Sequence, residues 1–269
     1  MIALMAATTL AACSPAPKTD SRRKRVPVQK IRYGTDASQF GELSRPTGAS
    51  KGVVVVIHGG FWRAEYDLSL GRPLAASLVD NGWTAWNLEY RRVGNGGGWP
   101  GTFDDIAAGI DTLSTVDKLD TSKVVTLGHS AGGHLAVWAA GRSRLATAAW
   151  NKPAVPVTAA ISQAGVIELR KALEADLGGG AVQALMGSTV GKRYQEADPL
   201  AQIPLDVPVR CVHGTSDDTV PISQSIGYVE KAKSAGADAE LVEVEGDHFV
   251  VIDPSTRAWA RTLEILEAW

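Results

Sequence analysis

Ser130 lies in Gly128-His129-Ser130-Ala131-Gly132, a G-x-S-x-G pentapeptide. The apolar, β-branched run from Val124 reads as a buried strand, and the residues from Gly132 onward carry helical spacing, so the chain must turn sharply at the serine. Flanking glycines tolerate the crowded backbone of such a turn, which leaves the hydroxyl exposed at the strand's end. The N-terminus of the following helix favours negative charge beside it. A nucleophile and an anion site therefore arise from one turn. To attack a carbonyl, such a serine needs a base, a carboxylate to orient the base and further N–H groups for the oxyanion, in the chain order Ser, Asp or Glu, His.

Each partner has a candidate. His248, in Glu245-Gly246-Asp247-His248-Phe249, is the candidate base, since an imidazole with an ordinary pKa of about 6.5 can take the serine proton and return it near neutrality. Asp217, in the loop His213 to Pro221, is the candidate orienting carboxylate, with Asp218 as the alternative. Adjacent aspartates point in different directions, so only one of the two can meet the imidazole. Asp247 reads as a turn residue. His58-Gly59-Gly60-Phe61-Trp62 follows the apolar run Val53 to Ile57, where the N–H groups of Gly60 and Phe61, together with that of Ala131, would form the oxyanion hole. Trp62, Tyr90 and Trp99 lie near the same loops and are the candidate lining of an apolar or aryl substrate pocket. His58, His129, His134 and His213 are read as shaping the loops around the turn. No H-E-x-x-H or cysteine cluster occurs, so neither metal nor cofactor is expected.

These residues must be gathered by secondary structure. Val28 to Tyr33 and Phe40 to Ser44 predict a short antiparallel pair. Strands follow over Val53 to Ile57, Thr84 to Leu88, the run from Val124, Val157 to Gln163, Val207 to Val212 and Ala239 to Val244. Between them the periodicity predicts helices over Leu70 to Asn81, Thr102 to Val116, Gly132 to Arg144, Val166 to Ala175, Ile222 to Ala235 and Ser255 to Glu267, with Thr102 and Asp105 spaced as a capping box. Repeated β-α units require a mostly parallel sheet with helices on both faces, and catalytic loops then gather at the strands' carboxyl ends. The glycine-rich stretch Gly178 to Pro204 is expected to be an irregular lid beside the site.

The chain has 269 residues and a formal charge of -2, which fits one α/β domain and argues against a nucleic-acid partner. Met1 to Ala12 looks like the apolar region of an export signal, although no Lys or Arg precedes it. Leu10-Ala11-Ala12-Cys13 resembles a bacterial lipobox, which implies lipidation of Cys13 and an extracytoplasmic, membrane-anchored protein. The reading is thus a signal peptide over 1–12, a disordered tether over 13–27 and a catalytic domain over 28–269. Cys211, the other cysteine, sits in an apolar strand and reads as a small buried hydrophobe.

From about Val53 onward the chain resembles the α/β-hydrolases of the esterase and lipase group. His58-Gly59-Gly60-Phe61-Trp62 is similar to the H-G-G-x-W segment of kynurenine-formamidase-like esterases. Gly128 to His134, His213 to Pro221 and Gly246-Asp247-His248 extend the likeness, which puts the acid on Asp217. The resemblance implies a serine hydrolase with a small-molecule ester as substrate, and a small, uncapped site favours short-chain or aryl esters over long-chain lipids. A formamidase and a prolyl-oligopeptidase-like peptidase are the alternatives, and a non-catalytic module on the same fold is the reading from another class.

Overall fold

The computed structural model describes residues 27–147, 149–188 and 191–269. The expected signal peptide, Cys13 and nearly all of the expected tether lie outside the described residues.

Eight strands form one sheet: β1 Val28–Arg32, β2 Phe40–Ser44, β3 Val53–Ile57, β4 Thr84–Leu88, β5 Val124–His129, β6 Ala159–Gln163, β7 Val209–Gly214 and β8 Ala239–Val244, in the order β1-β2-β4-β3-β5-β6-β7-β8. β1 and β2 pair antiparallel, β2 runs antiparallel to β4, and all later pairs are parallel. The central strands β3, β4, β5 and β6 are buried along their whole length, as strands of a parallel sheet covered on both faces are.

The helices are α1 Arg72–Asp80, α2 Gly101–Asp111, α3 Ala131–Ala140, α4 Leu169–Glu174, α5 Ala181–Met186, α6 Arg193–Ala197, α7 Ser223–Ser234 and α8 Arg257–Glu267. One apolar cluster joins Val53, Val55 and Ile57 to the aromatic side chains of Trp86, Phe103, Trp138 and Trp150. A second joins Val54, Val56, Val125 and Leu127 on the opposite sheet face to α1 and α8. Neighbouring β3 residues divide between the two clusters because alternate side chains of a strand point to opposite faces.

Three expectations need correction. The capping box at α2 does not form: Pro100 precedes the helix, Thr102 Oγ1 donates to Arg91 O at 2.7 Å, and Asp105 accepts from the Arg91 guanidinium at 2.7 and 2.8 Å. A buried aspartate is better satisfied by a guanidinium than by one end-of-helix amide. Several helices are shorter than their periodic pattern, because the ends tighten into 3-10 turns such as Thr112–Thr115. The stretch Gly178 to Pro204 is not an irregular lid: it carries α5 and α6 and a 3-10 turn at Pro199–Gln202, and Val182, Leu185, Met186 and Tyr194 are buried in the first apolar cluster.

Candidate active site

The loops after β3, β5, β7 and β8 meet at the carboxyl edge of the sheet. Ser130 follows β5 with φ 55° and ψ -119°, the strained left-handed backbone of a strand-to-helix elbow. Its N–H donates to Gln163 O at 2.8 Å, and its carbonyl accepts from His134 N and Val166 N. The elbow demands a glycine at 132, since a Cβ there would fall 2.0 Å from Ile57 O.

Asp217 is enclosed, with a side chain of 0% exposure. Its Oδ1 accepts from the N–H groups of Thr219 and Val220 at 2.9 and 2.8 Å, and its Oδ2 accepts from His248 Nδ1 at 2.7 Å. His213 Nε2 lies 3.2 Å from the same Oδ2 and donates to Val220 O at 2.9 Å. Burial alone would push this carboxyl up, but the hydrogen bonds from His213, His248 and Val220 outweigh it and hold the group well below the usual carboxylate range. Asp218 instead takes the Thr219 hydroxyl at 3.3 Å, so of the two aspartates only Asp217 faces the imidazole. With Nδ1–H committed to Asp217, the neutral His248 ring presents a lone pair at Nε2, the arrangement a general base needs.

Gly60 adopts φ 108°, while Phe61 and Trp62 both adopt left-handed backbone at 52° and 55°. Among the described residues no backbone carbonyl accepts from the N–H groups of Gly60, Phe61 or Ala131. Buried amides are nearly always paired, so unpaired ones beside a nucleophile are what an oxyanion hole requires. The segment is braced from beneath. Tyr90 stacks on His58 with centroids 4.5 Å apart and donates to His58 O at 2.8 Å. Arg92 bonds Glu89, whose other carboxylate oxygen accepts from Leu68 N at 2.8 Å.

The expected pocket lining is corrected here for Trp62 and Tyr90. Trp62 and Tyr90 have 0% exposure and cannot touch a substrate. Trp62 meets His134 edge-on at 5.3 Å, and Tyr90 spends its hydroxyl on the backbone of the oxyanion segment. Trp99, half-buried, packs edge-on against Phe103 and Trp150 at 5.0 and 5.2 Å and extends the aromatic core. The loop-shaping role of the other histidines holds. His58 donates to Gly59 O, His129 to His248 O, His134 to Ala197 O and His213 to Val220 O, at 2.8 to 2.9 Å. Asp247 is a turn residue whose Oδ1 accepts from Phe249 N and Val250 N. Cys211 is buried, and burial pushes its thiol up to about 12.

Two contributors escape the sequence reading. His213 reaches Asp217 four residues along the chain, a pairing that its place at the end of β7 could have signalled. Gln163, the last residue of β6 and in register with His129, holds Ser130 N through its carbonyl and Val251 O through its side chain at 2.5 Å. A polar end, Ser162-Gln163, on a strand that opens Ala159-Ala160-Ile161 was its only mark.

An eight-stranded, mostly parallel sheet with a strained serine elbow, an Asp-His pair and unpaired backbone amides at its carboxyl edge defines an α/β-hydrolase. The chain belongs to the BD-FAE family, which matches residues 43–231. No curated protein matches it in sequence. Among solved structures it is similar to esterase B from Lactobacillus rhamnosis bearing a tributyrin phosphonate, with TM-score 0.78 and 22% identity over 91% of this chain and 85% of that one. It also resembles a thermophilic esterase, Est2, of the planctomycete Thermogutta terrifontis, with TM-score 0.72 and 22% identity over 90% of each chain. A truncated carbohydrate esterase from gut microbiota aligns with TM-score 0.72 and 18% identity over 89% and 94% of the two chains.

Proposed function

We propose that this protein is a serine hydrolase that cleaves small carboxylic esters through an acyl-enzyme. The observation that carries the reading is the 2.7 Å bond from His248 Nδ1 to the buried Asp217, made at the same sheet edge as Ser130 and three unpaired amides. Ser130 Oγ attacks the ester carbonyl while His248 Nε2 takes its proton, and Asp217 stabilises the imidazolium. The N–H groups of Gly60, Phe61 and Ala131 hold the oxyanion; loss of one such donor costs roughly two to three orders of magnitude in rate. As the tetrahedral intermediate collapses, the bond to the alcohol oxygen breaks and His248 returns its proton to that oxygen. Water, deprotonated by His248, then attacks the acyl-enzyme and frees Ser130.

The described residues of the connection from β6 to β7 support small substrates, because they carry three helices of five or six residues whose Leu169, Val182, Leu185 and Tyr194 are buried in the body. Labelling by a fluorophosphonate, lost in Ser130→Ala, tests the nucleophile. Hydrolysis of p-nitrophenyl acetate in preference to p-nitrophenyl palmitate is the expected result, and a panel with N-formylkynurenine and a dipeptide sets ester against amide chemistry. No labelling, or faster cleavage of either amide than of the esters, would overturn the proposal.

The lipobox-like Leu10-Ala11-Ala12-Cys13 supports export and anchoring through lipidated Cys13. Palmitate incorporation abolished by Cys13→Ala is the expected outcome, and a mature protein recovered only in the soluble fraction would remove the anchor.

A further inference from the structure

Five large apolar side chains stand exposed among the described residues, namely Val28, Tyr66, Leu70, Ile226 and Phe249. A single exposed apolar residue is ordinary on any protein surface. Three of these five, however, lie beside residues of the candidate site or of the loops that shape it. Tyr66 covers Gly60, where an added Cβ would fall 2.3 Å from Cγ of its ring. Leu70 lines a small cavity together with His58, Gly59 and His129. Phe249 follows His248 directly and is the most exposed of the five, at 59%. Exposed apolar surface gathered at one site is the pattern that marks a ligand contact.

The backbone that carries the Phe249 ring is nevertheless held in place, and the ring itself packs against two imidazoles. Its N–H donates to Asp247 Oδ1 at 2.9 Å, and the N–H of Val250 donates to the same oxygen at 3.1 Å, so the backbone that carries the ring is pinned on both sides. The ring meets His248 edge-to-face, with centroids 5.2 Å apart and planes at 82°, and it approaches His129 at 6.1 Å. A fixed aromatic surface loses little side-chain freedom when a ligand covers it.

The direction of proton transfer decides which part of the substrate that surface meets. The oxyanion amides hold the carbonyl oxygen, whereas the leaving oxygen must sit against His248 Nε2 to receive its proton. The alcohol portion therefore departs on the His248 side, where Phe249 lies. We infer that Phe249 is a specificity-determining platform for the leaving alcohol and selects alcohols that present a flat ring face. This inference rests on the esterase reading above.

The test compares benzyl acetate with ethyl acetate, which share an acyl group and have alcohols of similar acidity, so that deacylation is common to both. The unaltered enzyme is expected to favour benzyl acetate in kcat/KM. Phe249→Ala should lower the benzyl-to-ethyl ratio about tenfold, the size of one aromatic contact, and Phe249→Trp should restore it. Ile226→Ala, which removes an exposed apolar side chain on α7, should leave the ratio where it was. An equal loss on both esters in Phe249→Ala would reduce Phe249 to support for His248 and overturn the platform, as would an unmoved ratio. Failure of the unaltered protein to cleave either ester would overturn the hydrolase reading and the platform with it. Cleavage with an unmoved ratio overturns the platform alone.

Discussion

His129 donates from Nε2 to the carbonyl oxygen of His248 at 2.8 Å, and the two imidazoles lie with centroids 4.5 Å apart. The residue before the nucleophile thus holds the base. Burial, reinforced by the neighbouring His248, pushes the His129 pKa down to about 3, so the ring stays neutral wherever an esterase works. A neutral ring keeps one tautomer and one donor, and it adds no charge that would oppose an imidazolium on His248. His129→Phe should lower kcat/KM for p-nitrophenyl acetate by ten- to a hundredfold, the effect of leaving a buried carbonyl unpaired. His129→Gln, whose amide can still donate, should recover most of the loss. A purely packing role for the ring would give the opposite ranking.

Asp217 accepts three hydrogen bonds, lies 3.2 Å from His213 Nε2 and is depressed below the usual carboxylate range, so it remains ionised as pH falls through the weakly acidic region. The acid limb of the kcat/KM profile should therefore carry no contribution from Asp217. Asp217→Asn should cut kcat by about four orders of magnitude, because an amide facing Nδ1 favours the wrong imidazole tautomer. Asp218→Asn, which touches only Thr219, should stay within a few-fold of the unaltered enzyme. Steady-state hydrolysis of p-nitrophenyl acetate by the two variants checks both statements.

Gly132 shows why the elbow was legible. An added Cβ there meets Ile57 O at 2.0 Å, and Ile57 is the last residue of β3, the strand that launches the oxyanion segment. A steric demand of this kind admits one residue type within a short span, so G-x-S-x-G and H-G-G could be read directly. The strands were equally readable, because β3 is an unbroken apolar run and β5 and β6 open on apolar residues, all three being buried on both faces. The pocket was not. Trp62 and Tyr90 lie close to the oxyanion segment and to a strand's end in sequence, yet their side chains point into the body, and proximity along a chain carries no information about side-chain direction. The region from Gly178 to Pro204 looked irregular because its helices are too short to show a period, and its order comes from tertiary packing.

The same contact predicts that Gly132→Ala should destabilise the fold by about 3 kcal/mol or more, at or beyond the upper end for overpacking. Backbone of a neighbouring strand cannot move aside as a flexible side chain would. Gly48→Ala is the comparison: nothing lies within 4 Å of its added Cβ, and the change should fall within about 0.5 kcal/mol of neutral. Urea unfolding of both variants separates a steric site from an open one.

Asp198 closes α6 and accepts from Leu200 N at 3.1 Å, beside Ala197, whose carbonyl takes the His134 proton donor. Burial pushes this carboxyl up to about 6 despite backbone hydrogen bonds from Leu169, Leu200 and Arg170. The folded chain therefore binds this proton more tightly than the unfolded chain, where the ordinary value is 3.8. The stability it contributes is fully present below the unfolded value and is lost as pH rises through about 6. Asp198→Asn fixes the neutral state, so the variant should match the unaltered protein near pH 4 and become the more stable of the two above pH 6. The gap should approach roughly 3 kcal/mol, since each tenfold difference in proton affinity between the folded and unfolded chain is worth about 1.4 kcal/mol. His134, pushed down to about 4 by burial, titrates in the opposite sense, favouring the folded state as pH rises, but it is common to both proteins and cancels in the difference. Urea unfolding of the pair between pH 4.5 and 7.5 measures that difference directly, and a gap that stays constant with pH would place the Asp198 proton off the folded protein throughout.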